Sequence, residues 1–258
     1  MNPEQFLRIG PMTTTRTLVV CVGDSITQGT LSANYVEMLD SHLSDAGYQF
    51  VNAGVNGNLA ENVLRRLDDA IACRPDIVTI LVGTNDVAAH INDKWMRGYL
   101  RRNKPLRPLT AEEYGNVLGE MVFRLTALTT ARLALIEIPV LGEDLDSPEN
   151  ERVRRYNDVL HEVANAQGIP VLPLNDRMTA LLAIQGALPR FNGSQGVIAR
   201  ASLSRRLLRR RWNDISRRNG LQLLTDHIHL NDRGAGIIAD LITEFLRSVP
   251  SVPARRSP

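Results

Sequence analysis

Short apolar runs alternate with mixed polar and apolar segments along most of the chain. A weaker run, YQFVNAG (48–54), fits between the first two of four stronger ones. The stronger runs are aliphatic or β-branched almost throughout: TLVVCVG (17–23), DIVTILVG (76–83), ARLALIEIP (131–139) and IPVLPL (169–174). Continuous apolar runs of this length are typical of strands buried on both faces of a parallel sheet. The pattern therefore predicts five parallel strands.

The segments between these runs carry apolar residues at helical spacing. The predicted helices cover 34–46, 59–73, 111–130, 148–166 and about 234–247. Alternation of strands and helices predicts an α/β protein with a doubly wound, open parallel sheet. In such sheets, ligands bind beyond the carboxyl ends of the strands. We therefore expect a functional site at that edge.

Length and composition predict a single domain. The 258 residues are 43% apolar, which is enough to fill one sizeable core. We expect a flexible N-terminal segment over 1–16, one domain over 17–248 and a flexible tail over 249–258. The connections 87–110 and 187–224 are much longer than usual for an α/β protein, so both are interpreted as insertions near the site.

Charge and cysteine content exclude several classes of protein. A net charge of +2 gives no general case for a nucleic-acid partner. The two cysteines, Cys21 and Cys73, can form neither a disulfide framework nor a CxxC metal site. The N-terminal sequence lacks the apolar stretch of a signal peptide, and no run reaches the length of a membrane span. The sequence thus predicts a cytoplasmic protein.

Polar residues cluster where the first three strands of the predicted sheet end. Gly23-Asp24-Ser25 follows the first strand, the segment 52–58 follows the second, and Gly83-Thr84-Asn85-Asp86 follows the third. Because parallel strands end at the same edge of a sheet, these residues are expected to lie together. Ser25 is the candidate nucleophile of this predicted site.

A serine hydroxyl becomes a good nucleophile only when a base removes its proton and an acid orients that base. His229 is the candidate base, because Asp226 stands three residues before it in TDHIHLNDRG. His227 is the local competitor, but in an extended segment its side chain would point away from that of His229. Asp226 and His229 are therefore the better pair.

The reaction also needs hydrogen-bond donors for the negative oxygen that develops on the substrate. The candidates are the Ser25 N–H at the start of a helix, the Gly57 N–H in NAGVNG and the side chain of Asn85. Glycine suits a loop whose backbone must approach a substrate closely.

With these blocks in view, the sequence resembles the SGNH (GDSL-type) serine hydrolases. The resemblance rests on four blocks in family order, and its departures are Ile26 for leucine and Asn58 for a common acidic residue. The blocks are GDSIT around Ser25, NAGVNG ending at Gly57, GTND with Asn85, and DHIH with Asp226 and His229.

The resemblance implies a flavodoxin-like, three-layer α/β/α sandwich and a single catalytic domain. It implies Ser25 as nucleophile, a histidine base oriented by an aspartate, and an oxyanion hole built from serine, glycine and asparagine. It also implies no metal, no organic cofactor and a small-molecule ester as substrate. Between Gly54 and Gly57, the place in the motif favours Gly57 as the glycine donor.

Several further residues receive a provisional role from the sequence. Asp24 and His90 are predicted to bind substrate, His90 because it closely follows the Asn85 block.

NGSQG (192–196) looks like a G-x-S-x-G nucleophile motif, but its first residue is Asn192 and no strand precedes it, so Ser194 is interpreted as a loop residue.

The second insertion is rich in arginine and leaves two interpretations open. Between 188 and 224, the only acid is Asp214, and the arginines are Arg190, Arg200, Arg205, Arg206, Arg209, Arg210, Arg211, Arg217 and Arg218. Apolar residues at helical spacing indicate a surface helix with solvated arginines. Alternatively, the segment is a cationic lid that favours anionic or lipid-like acyl substrates.

The leading hypothesis is a serine esterase that hydrolyses carboxylic esters with short acyl chains through an acyl-enzyme intermediate. An acyltransferase, a thioesterase or a lysophospholipase would use the same site. A different class of function is a non-catalytic, flavodoxin-like module that binds an anion at the helix N-terminus after Gly-Asp-Ser. The pairing of Asp226 with His229 speaks against this module, because anion binding does not need it. The sequence leaves the oligomeric state open.

Overall fold

A five-stranded parallel sheet forms the centre of the protein. The computed structural model describes residues 1–11, 16–184, 189–191 and 193–248. The strand order is β2-β1-β3-β4-β5, with every neighbouring pair parallel. The strands are β1 (Thr17–Gly23), β2 (Tyr48–Gly54), β3 (Ile77–Leu81), β4 (Arg132–Ile136) and β5 (Val171–Leu172). This is the predicted doubly wound, flavodoxin-like arrangement.

Helices cover both faces of the sheet. In chain order they are α1 (Pro3–Ile9), α2 (Ser25–Gln28), α3 (Tyr35–Leu43), α4 (Ala60–Arg65), α5 (Leu67–Ala72), α6 (Thr84–Ala88), α7 (Asp93–Asn103), α8 (Ala111–Leu128), α9 (Pro148–Gln167), α10 (Leu174–Leu182), α11 (Gln195–Leu208), α12 (Trp212–Arg218) and α13 (Asp232–Ser248). None of the described helices is both long and apolar enough to span a membrane.

Alternation along β1 explains why the strand is apolar throughout. Val20 and Val22 pack in the core on one face, with α4, α5, α8 and α9. Val19 and Cys21 pack on the opposite face, with α3, α10 and α13. Successive strand side chains point to opposite faces, so a strand between two helical layers must be apolar at every position. The result is the predicted three-layer α/β/α sandwich.

Two elements differ from the sequence prediction. β5 contains only Val171 and Leu172, because Pro170 and Pro173 flank them and proline cannot donate a ladder hydrogen bond. The predicted helix at 59–73 is divided into α4 and α5 at Arg66, whose backbone is not helical. The guanidinium of Arg66 is directed towards the sheet, where it donates to carbonyls that include that of Gly23, at 2.7 Å.

The N-terminal segment also differs from the flexible chain that the sequence predicted over 1–16. Residues 3–9 form α1. Its N-terminus is capped by Asn2 and Gln5, since the side chain of each accepts a hydrogen bond from the backbone N–H of the other. Phe6 is buried in the core on the α5 side. The predicted tail at 249–258 lies outside the described residues.

Candidate active site

The turn between β1 and α2 presents Ser25 at the carboxyl edge of the sheet. Asp24 caps α2 by accepting a hydrogen bond from the Ile26 N–H at 3.0 Å. Gly23 allows the tight passage, because a Cβ there would lie 2.1 Å from Thr27 Oγ1 and 2.4 Å from the Leu81 carbonyl oxygen. Ser25 therefore begins α2 at a position fixed by the sheet.

Three of the predicted site residues form a continuous chain of hydrogen bonds. The Oγ of Ser25 lies 3.0 Å from Nε2 of His229. The Nδ1 of His229 lies 2.9 Å from Oδ2 of Asp226. All three side chains are buried. The hydroxyl, the imidazole and the carboxylate thus stand in the order needed to move a proton away from Ser25.

The loop that carries His229 is organised by Asp226. Its Oδ1 accepts hydrogen bonds from the N–H groups of Ile228 and His229, at 3.1 and 2.8 Å. His227 takes a left-handed backbone conformation with φ of 73°. Its ring stacks on Phe191 at a centroid distance of 4.9 Å and does not compete for Ser25. Asp226 therefore holds both the backbone and the ring of His229.

The electrostatics of the pair favour a charged aspartate beside a basic imidazole. Burial lowers the pKa of His229, but the charge and hydrogen bond of Asp226 more than offset this and raise it above 6.5. Burial works against ionisation of Asp226, yet His229 and two backbone N–H groups hold the pKa of Asp226 below its usual value. Such a histidine can accept a proton and remain stabilised as a cation.

Gly57 and Gly54 have different surroundings. Gly57 has φ of 76° and lines the cavity above Ser25. The Gly54 N–H donates to Oδ1 of Asn52 at 3.0 Å. A Cβ at Gly54 would lie 2.2 Å from the Gln28 nitrogen, so this glycine allows α2 to pack closely on β2. The placement supports Gly57 as the donor.

Asn85 lies in α6 immediately after β3 and lines the same cavity. Its Nδ2 donates to the Asn58 carbonyl at 2.9 Å and to Oδ2 of Asp24 at 3.3 Å. Its Oδ1 accepts a hydrogen bond from the Tyr99 hydroxyl at 2.6 Å. Tyr99 belongs to α7 of the first insertion, and sequence reasoning did not identify it. No motif marks this tyrosine, so only the fold reveals the contact.

The two predicted substrate-binding residues do not line the cavity. Asp24 is completely buried beneath it, and burial raises the pKa of Asp24 to about 6. His90 directs Nε2 to the Leu109 carbonyl at 2.7 Å. Asp24 caps α2 and contacts Asn85, whereas His90 links the two ends of the first insertion. Both contacts are structural, which corrects the expectation that these side chains face the substrate.

A cavity of about 650 Å³ opens above Ser25 and His229. Its wall is formed partly by Arg101 and Arg102 of α7 and by Gln195 and Ile198 of α11. Both insertions therefore reach the site, as the sequence indicated.

The cationic residues at the cavity are not those of the arginine-rich segment. Arg209 and Arg210 lie at and beyond the C-terminal end of α11, outside the cavity lining. The guanidinium of Arg205 lies over the ring of Trp212, 5.3 Å from its centroid. For the described part of 187–224, the surface-helix interpretation fits better than the cationic lid. Ser194 is exposed and caps α11.

The doubly wound parallel sheet places a serine, a histidine and an aspartate in hydrogen-bonding sequence at its carboxyl edge, an arrangement typical of serine hydrolases. A family model described as "GDSL-like Lipase/Acylhydrolase family" matches residues 21–237. The chain belongs to this family and is a carboxylic ester hydrolase. The non-catalytic anion-binding module is thereby excluded.

Comparison with individual proteins agrees with this family. An acetylxylan esterase from Geobacillus stearothermophilus is 25% identical over 160 residues, which are 55% of this chain and 69% of that protein. The crystal structure of an acetylxylan esterase from the same organism superposes with a TM-score of 0.64 at 19% identity, covering 95% of this chain and all of the other. A lipase/acylhydrolase from Enterococcus faecalis gives 0.60 at 21% identity, covering 92% and 99%. At these identities, the superpositions establish the fold.

Proposed function

We propose that the protein hydrolyses carboxylic esters with short acyl groups through an acyl-enzyme intermediate on Ser25. The observation that carries this proposal is the unbroken chain of hydrogen bonds from Ser25 Oγ through His229 to Asp226, at 3.0 and 2.9 Å. A serine that serves only as a helix cap does not need a basic imidazole at its hydroxyl, or a carboxylate behind that imidazole.

In the proposed reaction, Ser25 Oγ attacks the ester carbonyl while its proton passes to Nε2 of His229. The imidazolium is stabilised by Asp226 and then gives the proton to the departing alcohol. Water enters, loses a proton to His229 and attacks the acyl-enzyme. The bond between the acyl carbon and Oγ of Ser25 then breaks, His229 returns the proton to Oγ, and the carboxylic acid leaves. No other reactant is required.

The negative oxygen of each tetrahedral intermediate is assigned to three donors: the N–H groups of Ser25 and Gly57 and the side-chain amide of Asn85. Gly57 and Asn85 line the cavity that contains Ser25. Preorganised donors of this kind contribute most when they are held rigidly before the substrate binds. The amide nitrogen of Asn85 has two N–H groups, directed to the Asn58 carbonyl at 2.9 Å and to Asp24 at 3.3 Å. In this assignment the longer bond, to Asp24, is given up and its N–H turns to the oxyanion, while Asn58 and Tyr99 keep the amide in place.

The preference for short acyl groups is supported by the relatives. The related proteins of Geobacillus stearothermophilus are named as acetylxylan esterases, and acetyl is a short acyl group. Leu31 and Ile228 form apolar parts of the cavity wall near Ser25. A small ester is therefore the proposed substrate.

The proposal is tested by labelling with a serine-directed fluorophosphonate probe and by hydrolysis of 4-nitrophenyl acetate. We expect the probe on the Ser25 peptide of wild-type protein, and loss of labelling in Ser25→Ala and His229→Ala. The value of kcat/KM should fall by a factor of about 10³ or more in each variant. Ser194→Ala, which removes an exposed serine, is the matched control and should label normally. Full hydrolysis by Ser25→Ala would overturn the proposal.

A further inference from the structure

Two arginines stand at the mouth of the cavity without an acidic partner. Arg101 and Arg102 lie in the last turn of α7 and are exposed to solvent. Within the described part of the chain, neither forms an ion pair within 4.0 Å, although many other arginines of the protein do, among them Arg97 one turn earlier. The two guanidinium groups are thus available to a ligand.

Arg102 approaches the centre of the proposed reaction. A Cβ added to Gly57 would lie 2.5 Å from Nη1 of Arg102, so the guanidinium lies directly against this glycine. Gly57 is the proposed backbone donor to the oxyanion. A negative group bound by Arg102 would therefore lie only a few bonds from the scissile carbonyl.

The side chains that the structure shows lining the cavity carry positive charge and no negative charge. Among the described residues that line the cavity, none has a carboxylate, whereas Arg101 and Arg102 each carry a fixed positive charge. Three buried carboxylates nearby already have partners: Asp226 is paired with His229, Asp24 accepts from Ile26 and Asn85, and Asp86 accepts from the Ala60 N–H. A concave surface of this kind attracts anions and repels cations.

Helix α7, which carries the two arginines, is anchored by hydrogen bonds to two other parts of the protein. Trp95 of α7 donates from Nε1 to the Gly193 carbonyl at 2.8 Å and stacks on Tyr99 at 6.1 Å. Tyr99 donates to Asn85 at 2.6 Å. Because α7 is fixed to the second insertion and to the floor of the site, its last turn is presented at a defined distance from Ser25.

From these observations we infer that Arg101 and Arg102 select esters that carry a carboxylate close to the scissile carbonyl. The inference rests on the proposed function, since it assigns a substrate class to the same site. Arginine suits this role because its planar group of N–H donors matches the two oxygens of a carboxylate. Carboxylate-bearing esters should therefore be hydrolysed in preference to neutral esters of the same shape.

The test measures kcat/KM for two matched pairs of esters by pH-stat. In the first pair, 4-acetoxybenzoate and 4-acetoxybenzamide each have one ester bond and differ by a charge on the leaving group. In the second, ethyl hydrogen succinate and ethyl pentanoate differ by a charge on the acyl group. We expect wild-type protein to prefer the charged member of at least one pair, and the preference to fall about tenfold in Arg102→Gln. Arg101→Gln should lower it as well.

Two comparisons separate recognition from a general loss of activity. Arg102→Lys keeps the charge but not the planar donors, so it should retain more of the preference than Arg102→Gln. Arg97→Gln changes an exposed arginine of the same helix that does not line the cavity, and it should leave the preference unchanged. Raising the salt concentration from about 0.01 to about 1 M should weaken the wild-type preference.

The outcomes distinguish this inference from the proposed function. If Ser25-dependent hydrolysis is normal but Arg102→Gln lowers both members of each pair equally, the selection of carboxylates is wrong and the esterase stands. If hydrolysis of the esters survives Ser25→Ala, the proposed function fails first. A preference lost in Arg102→Gln and kept in Arg97→Gln supports both.

Discussion

Asn85 depends on its neighbours for the orientation that the proposed chemistry requires. Its Nδ2 faces two acceptors, the Asn58 carbonyl and the carboxylate of Asp24, which fixes the nitrogen on that side. The Tyr99 hydroxyl then donates to the remaining oxygen at 2.6 Å. A tyrosine from an insertion therefore completes the positioning of an amide from a family motif.

Removal of this hydroxyl tests its positioning role. We expect Tyr99→Phe to lower kcat for 4-nitrophenyl acetate about fivefold, equivalent to about 1 kcal/mol, with a smaller change in KM. The reason is that Asn85 loses orientation in the transition state rather than contact with the ground-state ester. Tyr48→Phe is the matched control, because the Tyr48 hydroxyl contacts the distant Leu246 carbonyl at 3.5 Å. Equal kcat losses in both variants would contradict the prediction.

The passage from β1 into α2 combines a strand end with a very short helix of four residues, Ser25–Gln28. A helix of this length gains little from its own hydrogen bonds, so packing must hold it in place. Gly23 and Gly54 provide this packing, because each lets backbone or side-chain atoms of α2 approach more closely than a Cβ permits. The position of Ser25 is therefore set by two glycines of neighbouring strands.

Gly23→Ala tests this arrangement. The added methyl would lie 2.1 Å from Thr27 Oγ1 and 2.4 Å from the Leu81 carbonyl oxygen, so α2 must move. We expect the free energy of unfolding to fall by about 1 to 3 kcal/mol, as is usual for overpacking, together with slower fluorophosphonate labelling of Ser25.

Gly236→Ala in α13 provides the contrast for this experiment. A Cβ at Gly236 meets no described atom within 4 Å, and alanine favours the helix. This variant should be more stable than wild type by about 0.5 to 1 kcal/mol with normal labelling. Similar labelling rates for the two variants would exclude the proposed role of Gly23.

Two carboxyl groups, those of Asp24 and Asp86, are buried beneath the site, and burial disfavours their ionisation. Burial raises the pKa of Asp86 to about 7, and the nearby charge of Asp24 acts in the same direction, while the Ala60 N–H opposes it. Burial also raises the pKa of Asp24 to about 6. Between pH 3.8 and about 7, the folded state holds the Asp86 proton more tightly than the unfolded chain does. The stability contributed by Asp86 therefore falls as pH rises through this range.

Asp86→Asn removes this ionisation but keeps an oxygen that can accept the Ala60 N–H. Relative to wild type, the variant should gain stability with rising pH, by up to about 1.4 kcal/mol per pH unit between about pH 4 and pH 7. Urea unfolding at pH 5 and pH 8 measures the change. Asp240→Asn, at an exposed position of α13, should show a much smaller dependence. A difference between Asp86→Asn and wild type that is equal at both pH values would refute this prediction.

Sequence patterns were sufficient for the fold and for the motifs of the site. Apolar runs encode burial on both faces of the sheet, and this burial follows from local order along the chain. The bounds of β1 and β2 match the predicted runs because nothing interrupts them. β5 was shortened by prolines that the prediction did not weigh. The motifs also named Ser25, Asp226 and His229, which the structure brings within hydrogen-bonding distance.

Only the tertiary structure decided which side chains of the two insertions reach the cavity. The sequence drew attention to the nine arginines between 188 and 224, yet the arginines at the cavity are Arg101 and Arg102. It also placed Asp24 and His90 at the substrate, whereas the fold buries one and directs the other to a carbonyl. Such contacts join residues of separate elements, and no periodicity records them. The sequence by itself therefore determined the sheet and its motifs, while packing between distant segments determined the cavity, because its walls form only when those segments meet.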